Sequence, residues 1–183
     1  MTSSFARINN ALDRAFRKRP SLFVSLSLLG VLAILSACFA NRQIVINTSA
    51  SVAPGLYVRS SAAPAIGQLL EFVIPQSARG YIQSRTGNSG ESWYILKPVA
   101  GVSGDMVDTT GQWLIINGRR MAPMPPARDR AGRTLPRWRD RRTLGEDEFF
   151  VFSDRIPTSF DSRCYGPIRR QQITSIRKPL LTW

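Results

Sequence analysis

Three short stretches of this 183-residue chain carry side chains able to do nucleophilic or proton-transfer chemistry. The first, Ser49-Ala50-Ser51-Val52-Ala53-Pro54-Gly55, places two hydroxyls one residue apart before Pro-Gly, a pair that cannot continue as regular strand. The turn so predicted can present a serine at a surface; a plain Ser/Ala/Pro linker has the same composition. In the second, Trp93-Tyr94-Ile95-Leu96-Lys97-Pro98-Val99-Ala100, strand alternation puts Lys97 on one face with Trp93, Ile95 and Val99. Apolar surroundings disfavour the ammonium and lower its pKa, as a lysine acting as general base near neutral pH requires. The competing reading is a lysine that snorkels from a strand end. The third, Ser159-Phe160-Asp161-Ser162-Arg163, offers hydroxyls, a carboxylate and a guanidinium at period-two spacing. These groups can orient a neighbouring base or form only an Asp161–Arg163 ion pair.

Composition narrows the chemistry. Histidine is absent, which removes Ser-His-Asp and Cys-His catalysis and every histidine-ligated metal site. Of the 25 basic residues only Lys18, Lys97 and Lys178 are lysines, and arginine holds its proton too tightly to serve as a base. The two cysteines, Cys38 and Cys164, are too few for a disulfide framework. No cofactor or metal is called for. A net charge of +13 suits polyanions, acidic partners or an anionic membrane surface equally well.

Residues 21–40 contain no charge and, as a helix, span about 30 Å, the thickness of a bilayer's hydrocarbon core. A basic leader, residues 1–20, precedes them with Arg7, Arg14, Arg17, Lys18 and Arg19 against Asp13. The positive-inside rule then keeps the N-terminus in the cytoplasm and exports residues 41–183. The expected location is the bacterial inner membrane, single-pass, with the domain on the periplasmic side. Phe5, Ile8, Leu12 and Phe16 recur at helical spacing in the leader, a pattern for a helix lying on anionic lipid. A rival for the apolar run is a cleaved lipoprotein signal, since Leu35-Ser36-Ala37-Cys38 is similar to a lipobox.

The exported part reads as one compact, mainly β domain. Strands are expected at 44–47, 56–59, 69–74, 94–99, 105–109, 113–116, 149–152 and 168–176, with Asn117-Gly118 as a type I′ turn and no long amphipathic helix. Residues 119–142 carry nine arginines and four prolines against Asp129 and Asp140, and read as an exposed loop or lid. That loop is either a solvated insertion or a flap for anionic headgroups or substrate. Nucleic acid is not an expected partner, because the topology exports this cluster.

Taken together and in order, Ser49-x-Ser51-x-x-Pro54, Leu96-Lys97-x-Val99-Ala100 with Gly104-Asp105, and Asp154 followed by Ser159-x-Asp161-Ser162-Arg163-x-x-Gly166 resemble the boxes of type I signal peptidases. Within them, Asn47-Thr48 and Pro54-Gly55-Leu56-Tyr57 around the serine are similar to the conjugative-transfer peptidases of the TraF type. The resemblance implies an antiparallel β-barrel-like catalytic domain behind one transmembrane helix, with a membrane-facing apolar surface. It makes Ser51 the nucleophile and Lys97 its general base. Ser49 would lend a hydroxyl to the oxyanion hole beside the Ser51 N–H, Ser159 would orient Lys97, and Asp161 with Arg163 would brace the site. The implied substrate is a pilin precursor or another membrane-inserted protein, which the enzyme would trim or cyclise. Two other functions stay open: a general signal peptidase that removes leader peptides, and a non-catalytic anchored scaffold of a conjugation or secretion channel. Val52, Pro98, Ser153 and Cys164 depart from the pattern, where methionine, arginine, glycine and an aromatic are usual. Pro98 implies an edge strand or a bulge beside Lys97.

Overall fold

The computed structural model describes residue 17 and residues 19–87, 93–129 and 131–183, in two units divided after Ile44. Most of the expected basic leader, including Arg7, Arg14, Lys18 and the pattern from Phe5 to Phe16, lies outside the described residues. The first unit contributes helix α1, Pro20–Ala40, which starts with proline at its first turn, where no N–H is needed. None of its side chains is buried, and it is long and apolar enough to cross a membrane.

The second unit is built on two antiparallel sheets. The larger has strand order β1 (Ile44–Asn47), β2 (Gly55–Ser60), β11 (Ile173–Thr182), β3 (Leu69–Val73), β4 (Tyr94–Gly101), β9 (Glu148–Val151) and β10 (Ile168–Arg169). The smaller runs β7 (Arg119–Pro123), β6 (Trp113–Ile116), β5 (Met106–Asp108) and β8 (Arg141–Thr143).

Period-two alternation on β9 divides the interior. Phe149 and Val151 enter a core with Leu70, Phe72, Val99, Ile168 and Ile176, while Phe150 and Phe152 enter a second with Val107, Leu114 and Ile116. One strand thus serves both cores. Asn117 and Gly118 both take positive φ, 50° and 78°, as the expected type I′ turn requires.

Several expectations need correction. A helix, α2 (Gln76–Thr86), fills part of the span between β3 and β4; it buries Ala78 and Ile82 one turn apart and ends at Gly87, whose φ is 67°. Its apolar stripe is too narrow to declare itself by periodicity. The expected strand at 168–176 is two strands separated by a 3-10 turn, Arg170–Gln172, and the second continues to Thr182.

Residues 119–142 are not one exposed loop. They open with β7, Arg141 begins β8, and Met124 and Leu135 are buried in the two cores. Arg119, Arg120, Arg128, Arg139 and Arg141 are exposed, while Met124 and Leu135 between them pack inward. Pro98 lies in an interior strand: β3 pairs one side of β4 and β9 the other, with the register shift falling between Val99 and Gly101. The bulge is therefore real and the edge is not.

The end of β11 fixes the stretch that follows Ser51. Thr182 pairs with Gly55, and the Trp183 N–H donates to the Pro54 carbonyl at 3.1 Å. A Cβ at Gly55 would lie 2.2 Å from the Leu181 carbonyl oxygen and 2.9 Å from the Thr182 Cα. Gly55→Ala is expected to lose about 2 kcal/mol in denaturant unfolding, since neither atom can move without the strand. Gly111→Ala, with open space at its Cβ, should be nearly neutral. Equal stability of the two variants would show that β11 does not constrain this turn.

Candidate active site

The serine turn is held by the residue that ends β1. Asn47 Nδ2 faces the carbonyls of Ser49, Val52 and Ala53 at 3.1, 3.0 and 3.0 Å, and its Oδ1 accepts from the Ser49 N–H at 3.2 Å. Tyr57 adds a hydroxyl bond to the Ala53 carbonyl at 2.6 Å. A single amide side chain thereby occupies backbone groups that no ladder satisfies. In the sequence Asn47 stands only as a flank of the serine.

Ser51 is buried, and its Oγ lies 2.5 Å from Lys97 Nζ and 2.8 Å from the Oγ of exposed Ser49. The Ser51 N–H makes a long bond, 3.4 Å, to the same Ser49 hydroxyl. Lys97 arrives from β4, 46 residues along, and its Nζ also donates to Ser159 Oγ at 3.0 Å. The strand alternation expected from sequence puts it beside the first core, with Ile95 and Val99.

With Lys97 only 4% exposed, burial pushes its amine from the ordinary 10.5 down to about 8. The nearby Asp161 charge opposes the shift, and the Arg163 charge assists it. Its hydrogen-bond partners among the described residues are hydroxyls, which suit a neutral amine as well as an ammonium. Such a lysine can accept a proton from the serine it touches.

Asp161 and Arg163 form a buried two-pronged pair, Nε to Oδ1 and Nη2 to Oδ2, both 2.9 Å. Arg163 also donates to the Pro123 carbonyl at 2.8 Å and stacks its guanidinium 4.7 Å from the Phe152 ring centroid. The Trp138 N–H donates to the Arg163 carbonyl at 2.9 Å. Two segments of the arginine-rich stretch thus brace the ion pair from behind. Asp161 further caps the short helix α3, Ser162–Tyr165, by accepting from the Arg163 N–H at 3.2 Å.

All six residues singled out from sequence, Ser49, Ser51, Lys97, Ser159, Asp161 and Arg163, thus fall within one hydrogen-bonded and ion-paired cluster. Sequence reading missed what Ser153 and Arg155 touch. Ser153 Oγ donates to the Ser51 carbonyl at 2.5 Å, and Arg155 Nε to the Ala50 carbonyl at 3.3 Å. The glycine-to-serine departure at 153 was the only signal for them. Cys164 is unpaired in a disulfide and buried, with its thiol pushed up to about 12 by burial. Among the described residues no cluster of potential metal ligands occurs.

The sequence model of a family described as signal peptidase, peptidase S26, matches residues 18–180. Two plasmid transfer proteins TraF from Escherichia coli are each 36% identical over 147 residues, covering 75% of this chain and 82% of their own length. The crystal structure of a signal peptidase I from Enterococcus faecalis V583 aligns with 64% of this chain and 98% of that chain, at 17% identity and a TM-score of 0.37.

The amine's burial has a signed consequence for stability. Lys97 titrates near 8 in the fold and near 10.5 when unfolded, so between these values the unfolded chain holds the extra proton. The cost of burial is carried in full below about pH 8 and relieved as pH climbs to 10.5. Relative to Lys97→Met, the wild-type protein should gain about 3 kcal/mol of unfolding free energy across that window. A flat difference between the two proteins would mean that Lys97 is not desolvated.

Proposed function

Because this chain belongs to the signal peptidase S26 family, we propose that it is a membrane-anchored serine endopeptidase acting through Ser51 and Lys97 on a pilin precursor of conjugative transfer. The observation that carries the proposal is the buried contact of Lys97 Nζ with Ser51 Oγ, where burial shifts the amine toward its neutral form. The names of the plasmid transfer relatives support the transfer role.

In the proposed reaction neutral Lys97 takes the Ser51 proton as Oγ attacks the scissile carbonyl. The resulting oxyanion accepts hydrogen bonds from the Ser51 N–H and the Ser49 hydroxyl, which already neighbour each other at 3.4 Å. Ser159 holds the amine in line with Ser51, and the ion pair of Asp161 and Arg163 holds Ser159's loop. Collapse of the tetrahedral intermediate expels the amine of the leaving segment, protonated by Lys97, and leaves an acyl-enzyme on Ser51. Water releases a trimmed chain. If an amine of the same substrate attacks instead, the product is a ring lighter by one further water, so product mass separates the two outcomes.

The membrane setting follows the same proposal. Helix α1 anchors the domain, with the leader in the cytoplasm and the domain in the periplasm. Exposed Ile46, Leu180, Leu181 and Trp183 support a bilayer-facing surface, and exposed Arg119, Arg120, Arg139 and Arg141 support contact with anionic headgroups. Protease added to spheroplasts should digest residues 41–183 and spare the leader. Protection of the domain would reverse the orientation and remove the substrate.

Lys97→Arg distinguishes proton transfer from charge, because it keeps the cation and cannot supply a neutral base. Lys97→Arg and Ser51→Ala, each confirmed folded by circular dichroism, should both lower precursor processing by at least about a thousandfold. Wild-type activity should rise with pH through one ionisation at about 8 and then level, being at pH 7 about a tenth of its plateau. A folded Lys97→Arg protein that processes at near wild-type rate would sink the proposal.

A further inference from the structure

The peptide joining Ala50 to Ser51 is one planar unit, so whatever holds the Ala50 carbonyl also aims the Ser51 N–H that leaves from its opposite side. That carbonyl accepts from Arg155 Nε at 3.3 Å. The next carbonyl, of Ser51 itself, accepts from Ser153 Oγ at 2.5 Å across 102 residues of sequence. The two arms are joined, since the Arg155 N–H donates to Ser153 Oγ at 3.3 Å. They are also rooted in the buried ion pair: the Ser153 N–H points to Asp161 Oδ2 at 3.4 Å, and Ser153 is only 2% exposed.

We propose that Ser153 and Arg155 clamp the two carbonyls that flank the Ser51 amide, and that Arg155 is a positioning residue which aims and polarises the Ser51 N–H toward the oxyanion. The inference rests on the reading of Ser51 as nucleophile and of its N–H as an oxyanion donor. Hydrogen bonds in a chain polarise one another, so a guanidinium on the Ala50 oxygen draws density from the peptide and makes its N–H a stronger donor. The Ser153 arm prevents the following peptide from rotating as charge develops. A fixed donor needs no reorganisation during the reaction. Neither arm's polar contact is with Ser51 Oγ or Lys97 Nζ, so the clamp acts on the oxyanion side and leaves the base alone. Ser153 stands where the resembling peptidases carry glycine, which cannot make this bond.

The test uses the full-length protein in detergent with a precursor substrate. Outright loss of an oxyanion donor costs about 10²–10³ in kcat, so weakening one through Arg155→Ala should cost about tenfold, with KM within about twofold. The ionisation that reports Lys97 should not move, and the melting temperature should hold because Arg155 is exposed. Added guanidinium ion should restore part of the lost kcat to Arg155→Ala, and Arg155→Lys should retain most of it. Ser153→Gly should lower kcat in the same sense, again without moving the ionisation. Unchanged kcat in Arg155→Ala, a change confined to KM, or a loss that guanidinium does not relieve would each overturn the clamp. Ser51→Ala separates the two levels: if it is inactive while Arg155→Ala is normal, only the clamp falls; if it is active, the nucleophile assignment falls as well.

Discussion

Lys97 Nζ is withdrawn from water against two hydroxyls, and an ammonium in that position would give up hydration that they replace only in part. Much of the surrounding architecture meets this single demand. Lys97 is carried on an interior strand, where Leu70 of β3 pairs with it and β9 covers the other side of β4. Asp161, the nearby carboxylate, is committed at both oxygens to Arg163. Its charge opposes the depression of the lysine without cancelling it, and Arg163 counteracts it. The cluster therefore buries two charges as a pair beside one amine that is left to shed its proton.

The same ion pair links chemistry to folding. Removing either partner would strand a buried charge, a change that typically costs about 3–5 kcal/mol. Arg163 binds the end of β7 through the Pro123 carbonyl, and Trp138 binds Arg163's own carbonyl in return. The small sheet thereby becomes the back wall of the site. Arg119, Arg120 and Arg141 stay exposed, half-buried Arg142 pairs with Glu148, and Trp138 packs against Phe150 at a ring separation of 5.8 Å. β9 completes the link, because its alternating side chains belong to both cores and its exit leads to Ser153, Ser159 and Asp161.

A second buried pair, Glu71 with Arg177, spans β3 and β11 on the face opposite Leu70 and Phe72, and Ser175 Oγ donates to Glu71 at 2.7 Å. Its effect is on register. A one-residue slip of β11 would turn these polar groups toward the apolar core and separate the charges. Since the end of β11 holds Pro54 and Gly55, that register also determines where the Ser51 turn stands.

The residue types themselves excluded histidine chemistry and left few amines to consider, because presence and absence need no coordinates. Local periodicity was enough to place most strands, the Asn117-Gly118 turn, the apolar helix and the face on which Lys97 lies. These depend on backbone geometry over a few residues, which neighbouring side chains encode directly. Helix α2 is not legible in sequence because only Ala78 and Ile82 mark its buried side, and residues 119–142 read as a loop because their arginines outnumber the apolar residues that pack. The meeting of Ser51 with Lys97 and Ser159 was suggested by ordered motifs, but its distances arise from strand pairing. The Asn47 grip on the serine turn spans only two to six residues of sequence, whereas the bracing of Arg163 from β7 and the reach of Ser153 and Arg155 to the Ser51 and Ala50 carbonyls are entirely tertiary. Each joins groups whose partners are backbone carbonyls, which every residue has and no residue type announces. Only the fold selects which carbonyl a given donor meets.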